Sequence, residues 1–235
     1  MPSNRTPEAA AIITEIDEII SRHALLDHPF YRMWSEGNLP QPVLAEYARQ
    51  YYAHVAAFPT YVSAVHSRTK DIAVRQMLLE NLIEEERGED NHPELWLRFA
   101  EGLGVDRDDV LSTEQLESTR ASVDAFREIV SRADSMEGLA ALYVYESQVP
   151  EVARTKREGL KEFYGLDDDR AVAFFTVHVR ADLIHRQVEQ DVLAEKVTDD
   201  NRAAVLKAAD EAARALWSFL DGVYEAAIGE LPAIA

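Results

Sequence analysis

The chain is expected to fold as an all-α protein, one domain over residues 1–235 built of roughly seven helices. Three observations carry that expectation. Apolar residues recur at three- and four-residue spacing in segment after segment. The segments are separated by helix caps, prolines and glycines rather than by hairpin turns. No stretch alternates apolar and polar residues as a half-buried strand would.

Taken in order, Thr6-Pro7-Glu8 is a helix start, with a hydroxyl cap, proline at the first position and an acid in the first turn. Ile12, Ile13, Ile16, Ile19 and Ile20 follow at helical spacing. His28 to Trp34 is short and aromatic, a turn or short helix ended by Gly37 and Pro40. A long helical pattern runs from Pro42 to about Arg68, with a kink expected at Pro59. The next, about Ile72 to Asp90, carries Val74, Leu78 and Leu82 on one stripe, which continues through Glu85, Glu89 and His92. Pro93 then redirects the chain. Gly102-Leu103-Gly104 ends a short helix. Ser112 to Gln115 reads as a capping box that opens a helix reaching about Ala133. A helix from Met136 to about Tyr164, interrupted at Pro150, is closed by Gly165. The turn Asp167-Asp168-Asp169 leads into a buried helix from Phe174 through His185 and beyond. Thr198-Asp199-Asp200 caps the last helix, with Leu206, Ala209, Ala213, Leu216 and Leu220 as its stripe.

Composition excludes several functions. The formal net charge is −19, so a phosphate-backbone partner is not expected and nucleic acid is set aside. With no cysteine, disulfides, thiolate metal sites, iron–sulfur clusters and thiol nucleophiles are ruled out. No apolar run approaches the roughly 20 residues that span a bilayer, and the N-terminus does not read as a signal peptide. A cytoplasmic protein without membrane attachment is expected. The excess of acid over lysine would suit a high-salt cytoplasm.

Chemistry concentrates where helical periodicity calls for apolar residues. His178, Asp182 and His185 are spaced i, i+4, i+7 and share one face over two turns. Burying imidazole and carboxylate unpartnered costs several kcal/mol, roughly 2–7 for a neutral polar group. A metal is one partner; a hydrogen-bonded core pair is the other. Glu146 lies in the stripe Leu139, Leu142, Tyr143, Val149, Ala153. Glu85 falls in the run Glu84-Glu85-Glu86, which taken alone reads as a solvated face, and His92 stands before Pro93. Three carboxylates and three histidines make a shell for two divalent ions, with iron or manganese favoured by the mixed donors. Glu85 and His92 would stand about 10.5 Å apart on an ideal helix, so either their side chains lean toward each other or the helix deforms near Gly88. The ferritin-like pattern, a Glu-x-x-His on each of two helices, fits Glu89 with His92 but needs Asp182 for Glu at His185 and leaves His178 unused. Glu85 is therefore preferred, with Glu89 as an outer acid. His23, His54 and His66 are expected at the surface or hydrogen-bonded.

Several segments together resemble a known family. They are His28-Pro29-Phe30-Tyr31, Asn81-Leu82-Ile83-Glu84-Glu85-Glu86, Gly88-Glu89-Asp90-Asn91-His92-Pro93-Glu94-Leu95-Trp96, Ala141-Leu142-Tyr143-Val144-Tyr145-Glu146-Ser147-Gln148, and the His178, Asp182, His185 triplet. The resemblance, over roughly Asp27 to Glu189, is to the haem-oxygenase-like di-metal oxidases, and within them to the chlamydial protein associating with death domains (CADD) and its relatives. It implies a TenA/PqqC-like helical bundle and a homodimer. It places two divalent metals, Fe/Fe or Fe/Mn, on Glu85, His92, Glu146, His178, Asp182 and His185. It also implies a reaction using molecular oxygen and an external reductant. In that reaction para-aminobenzoate, a folate precursor, is made from a tyrosine of the chain itself, with a lysine as amino donor. The matching residues are Tyr31, Tyr145 and Lys156. Two other readings stay open: an oxygenase of the same fold acting on an external substrate, and a non-catalytic metal- or partner-binding protein. The thiamine-degrading relatives of this fold use a cysteine nucleophile, which this chain lacks.

Overall fold

A computed structural model describes the backbone of residues 7–229 and the side chains of 11–179 and 185–229. The described residues form α-helices α1 (Pro7–Arg22), α2 (Pro29–Ser35), α3 (Gln41–Arg68), α4 (Ile72–Glu86), α5 (His92–Gly102), α6 (Arg107–Ser112), α7 (Glu117–Val130), α8 (Ser135–Glu146), α9 (Val149–Phe163), α10 (Ala173–Lys196) and α11 (Asp199–Ala227), with a 3-10 turn at Leu25–Asp27. None of the described residues is in a strand. Eleven helices replace the seven expected because breaks subdivide the longer periodic runs. Pro150 sits in the first turn of α9, so the run from Met136 to Tyr164 becomes α8 and α9 across Ser147 and Gln148. Gly88, at φ +81°, turns the chain between α4 and α5.

Other local expectations fare unevenly. The Thr198 cap is a capping box completed by Asn201. Gly165 takes the left-handed conformation just past α9. Pro59 lies inside an uninterrupted α3. Thr6 lies outside the described residues. The capping box at Ser112 does not form. Ser112 ends α6 and its hydroxyl donates back to the Asp108 carbonyl. Helix α7 begins after Leu116, whose amide donates to Gln50 Oε1 on α3, so a long-range partner replaces the local cap.

Helix α8 is buried from Gly138 through Glu146 on every face, as a central helix must be. Helices α10 and α11 lie against it. The core forms two clusters: one gathers α1, α7, α8 and α11, and the other is the aromatic set around Trp34, Tyr47, Trp96 and Phe175. Tyr51 packs against both. Helix α9 approaches α2 closely because Gly159 has no side chain; a Cβ there would meet Trp34 Cδ1 at 2.8 Å. Trp34 Nε1 donates to the Lys156 carbonyl across that contact. No helix among the described residues is long and apolar enough to cross a membrane.

Candidate metal centre and phenol cluster

Four helices bring the acidic and imidazole groups together. Glu85 ends α4, His92 opens α5, Glu146 ends α8 and His178 lies in α10. The turn at Gly88 folds His92 back onto Glu85, and His92 Nδ1 comes to 2.8 Å from Glu85 Oε2. The two atoms lack hydrogen-bond geometry, so close approach is not explained by a shared proton. The His92 and His178 rings lie 4.4 Å apart. One donor atom from each of Glu85, His92 and His178 falls within 4.8 Å of the others, and all three residues are buried. His178 Nδ1 donates to the Phe174 carbonyl at 2.6 Å, which fixes the tautomer and leaves Nε2 as an acceptor.

Glu146 stands beside this trio. Its Oε1 accepts from Asn81 Nδ2 at 2.6 Å, while Oε2 is buried without a hydrogen bond. His185 Nδ1 lies 3.8 Å from that oxygen, and its Nε2 lies 3.4 Å from Glu84. Burial pushes the Glu146 carboxyl up to about 8, against the pull of Asn81 and helped by Glu85 and Glu84. Burial, reinforced by His92, holds His178 well below the usual imidazole range. Unpaired acceptors converging in an apolar pocket fit a divalent cation, which would supply the missing positive charge to all of them. Of the six expected ligands, five are thus placed around one region; the Asp182 side chain lies outside the described residues. Glu89 is exposed and stands apart from the cluster.

A second group adjoins the first. Tyr145 precedes Glu146, and its hydroxyl is 2.6 Å from that of Tyr51. The Tyr51 and Tyr47 rings stack at 5.3 Å and 20°. Tyr47 and Tyr31 hydroxyls are 2.9 Å apart. Lys156 is 3% exposed, and its Nζ donates to the Tyr47 hydroxyl at 2.6 Å. That nitrogen also sits 5.0 Å from the Tyr31 ring centroid and 4.8 Å from that of Tyr47. Without a carboxylate partner, burial drives its pKa well below the usual lysine value. Tyr31 is held at this spot by its helix start: His28 Nδ1 accepts from the Phe30 amide, and His28 Nε2 lies 3.0 Å from Asp221 Oδ1.

Both groups line one cavity, with Tyr31, Tyr51, Glu85, Tyr145, Lys156 and His178 among its walls. Its volume is about 40 Å³. At roughly 10–15 Å³ per water-sized sphere, that admits a few small molecules.

Sequence reasoning missed four residues here. Asn81 occupies the buried stripe of α4 in place of Leu82, which is half-buried; a polar residue four before Glu85 was the available signal. Tyr47 and Tyr51, spaced i, i+4, read as ordinary core aromatics. His54 was expected to be exposed or satisfied and is neither. It is buried among Tyr51, Phe126, Tyr145 and Phe219 with both ring nitrogens unpartnered, and burial lowers its pKa to about 3.

Comparison with known proteins gives concordant matches. A family described as iron-containing redox enzymes matches residues 45–217. The chain is 45% identical over 222 residues to the 4-aminobenzoate synthase of Nitrosomonas europaea, covering 90% of each. It is 40% identical over 215 residues to that of Chlamydia muridarum, covering 92% of this chain and 91% of the other. A TenA homologue from Pseudomonas syringae superposes with a TM-score of 0.81 over 95% of both chains at 16% identity, a likeness of fold alone.

Proposed function

Because the chain belongs to the haem-oxygenase-like family of iron-containing redox enzymes, and within it to the CADD-like group of 4-aminobenzoate synthases, we propose that it makes para-aminobenzoate from its own Tyr31. Lys156 would supply the nitrogen, and the site would take two divalent metals, iron with iron or manganese, whose chemistry would draw on molecular oxygen and an external reductant. The observation that carries this reading is the buried, carboxylate-free Lys156 amine held against Tyr31 and Tyr47.

Glu85, His92, Glu146, His178 and His185 would hold the metals, joined by Asp182 on the strength of the family resemblance. When bound, such a pair supplies one-electron oxidation driven by oxygen. The protein's own groups do the rest. Phe174 and Asn81 orient His178 and Glu146. Burial among aromatic rings disfavours the charged form of Lys156, so its nitrogen retains a lone pair. Tyr47 ties the Tyr31 hydroxyl in place from one side. Tyr145, next to Glu146, presents the phenol nearest the ligands along the chain. A cavity of about 40 Å³ favours an internal aromatic over an external one, since a benzene-sized guest takes a cavity of about 150 Å³.

The test is isotopic. Protein grown on ring-labelled tyrosine is loaded with iron and manganese, reduced and exposed to oxygen. Labelled para-aminobenzoate and a fall in intact mass are expected, without added precursor. Unlabelled product, or repeated turnover without mass loss, would leave an oxygenase acting on an external substrate.

A further inference from the structure

We propose that Arg98 is a positioning residue for the metal site: its guanidinium clamps the turn that sets His92 against Glu85. The inference rests on the metal-binding part of the reading above, and it concerns what holds the donors in place before any ion arrives.

The turn has little else to hold it. Residues 86–90 are Glu, Arg, Gly, Glu and Asp, all exposed, so no apolar side chain anchors the chain between α4 and α5. Gly88 supplies the left-handed residue, at φ +81°. A glycine permits the turn but does not fix the direction in which it ends. Within the turn, Asn91 Nδ2 donates to the Gly88 carbonyl at 2.8 Å. Among the described residues, the one side chain from beyond His92 that bonds to the turn is Arg98.

Arg98 meets the chain on both sides of His92. Its Nη2 donates to the Glu89 carbonyl at 2.8 Å, and its Nη1 to Asp90 Oδ1 at 2.7 Å. Its Nε donates to Glu94 Oε1 at 3.0 Å, two residues past His92. Glu94 is held in turn by two nitrogens of Arg107. A planar guanidinium serves several acceptors at fixed angles, and its bonds to carboxylates are charge-assisted. Helix α5 stands without this clamp. Leu95, Trp96, Phe99 and Ala100 are buried, and Trp96 Nε1 donates to the Ala48 carbonyl at 2.8 Å. The helix is thus a fixed base to which Arg98 pins the exposed turn. What depends on Arg98 is the path by which the chain enters α5, and with it the 2.8 Å approach of His92 Nδ1 to Glu85 Oε2. Donors serve a metal well when they already lie within about 0.5 Å of the bound geometry. Glu89, whose carboxylate stands apart from the cluster, takes part through its backbone carbonyl.

The sign of the effect separates positioning from charge. Arg98 is a cation on the helix that His92 opens, and removing it would, through space alone, favour a divalent ion. Loosening His92 disfavours one. Arg98→Met orphans no buried group, since Glu94 keeps Arg107 and Asp90 is exposed.

The full-length, metal-free wild type and Arg98→Met are titrated with manganese alone by equilibrium dialysis, and followed by thermal unfolding and hydrogen exchange. Manganese affinity is expected to fall by about 10–100-fold in the variant. The Tm of the metal-free protein is expected to stay within about 3 °C, because exposed ion pairs add little to stability. Amides of Glu89 to His92 should exchange faster, and those of Trp96 to Ala100 at the native rate. Arg98→Lys keeps the charge but offers one nitrogen to three acceptors, and should lose affinity as well. Unchanged or raised affinity in Arg98→Met, or full affinity in Arg98→Lys, overturns the clamp. So does an affinity loss matched by a collapse in Tm, which would make Arg98 a merely structural residue. A wild-type chain that binds no manganese would take the metal reading and the clamp down together, whereas labelled para-aminobenzoate tests the synthase reading apart from both.

Discussion

Replacing Lys156 with methionine should leave the protein about as stable as before and without product. The amine is 3% exposed and makes one hydrogen bond among the described residues, to Tyr47. Losing that bond costs about 1 kcal/mol. Relief of the remaining unpaired donor hydrogens returns about 1–3 kcal/mol. Methionine is close in volume and flexible enough to follow the same path, so repacking costs under about 1.5 kcal/mol. The terms cancel to within about 1–2 kcal/mol, so Tm should stay within about 5 °C for a chain of this size. Tyr47 keeps Tyr31 as a hydroxyl partner, so no buried group is orphaned by the change. Thermal unfolding of metal-free protein measures the first effect, and mass spectrometry of para-aminobenzoate after one oxygen exposure the second. A loss of several kcal/mol with product retained would show that Lys156 is a structural residue and refute its role as amino donor.

Three further outcomes follow from the same geometry. Asn81→Leu removes the donor that orients Glu146 Oε1; manganese affinity measured by equilibrium dialysis should fall by about 10–100-fold, and an unchanged affinity would remove Asn81 from the site. The Glu146 carboxyl, raised from 4.5 to about 8, binds its proton more tightly in the folded metal-free protein than in the unfolded chain. Its contribution is therefore complete below pH 4.5 and is lost as pH rises through 8. Metal displaces that proton, so the rise in Tm on adding manganese should grow across that interval; a pH-independent rise would contradict it. His54→Leu exchanges an unpartnered imidazole for an apolar side chain and should raise stability in urea by about 1–3 kcal/mol, with a drop instead showing that the ring has a partner in solution.

The fold was legible because helical periodicity and caps are local signals. Thr198 and Gly165 act where their residue types say they should. Ser112 does not, because it ends α6 with its hydroxyl on the Asp108 carbonyl and the next helix starts later, after Leu116, whose amide meets Gln50 66 residues away, a partner that local sequence does not contain. The candidate metal-binding residues were legible for a different reason. His178 stands out by its spacing with Asp182 and His185, and Glu85 with His92 needed a break that Gly88 supplies. The stripe argument for Glu146 was weaker than it looked, since α8 is buried on every face from Gly138 onward and any residue there would have passed. Tyr47 and Tyr51 stayed silent because a phenol at a core position looks the same whether its hydroxyl meets water, carbonyl or another phenol. The roles of Tyr31 and Lys156 came only from family resemblance; the packing of α9 on α2 through Gly159 is what brings them together.

The chemistry of the amine and the size of the cavity constrain each other. A lysine nitrogen attacks or transfers only with a free lone pair, and here that depends on exclusion of water. A pocket that opened to admit an aromatic substrate would admit water with it, restore the charge on Lys156 and remove the nucleophile. A closed pocket keeps the amine neutral but leaves no route for the ring to enter. The proposed reading, with the ring on the chain, resolves the conflict: folding, not diffusion, would deliver Tyr31 to the nitrogen, at an effective concentration no free substrate reaches. The proposed reading would limit each molecule to one reaction, because the residue that fills the pocket would be the residue the reaction removes. On this argument single use follows from the dryness that Lys156 requires. A variant with Tyr31 trimmed to glycine should then take no added phenol productively: the space it opens also wets the amine.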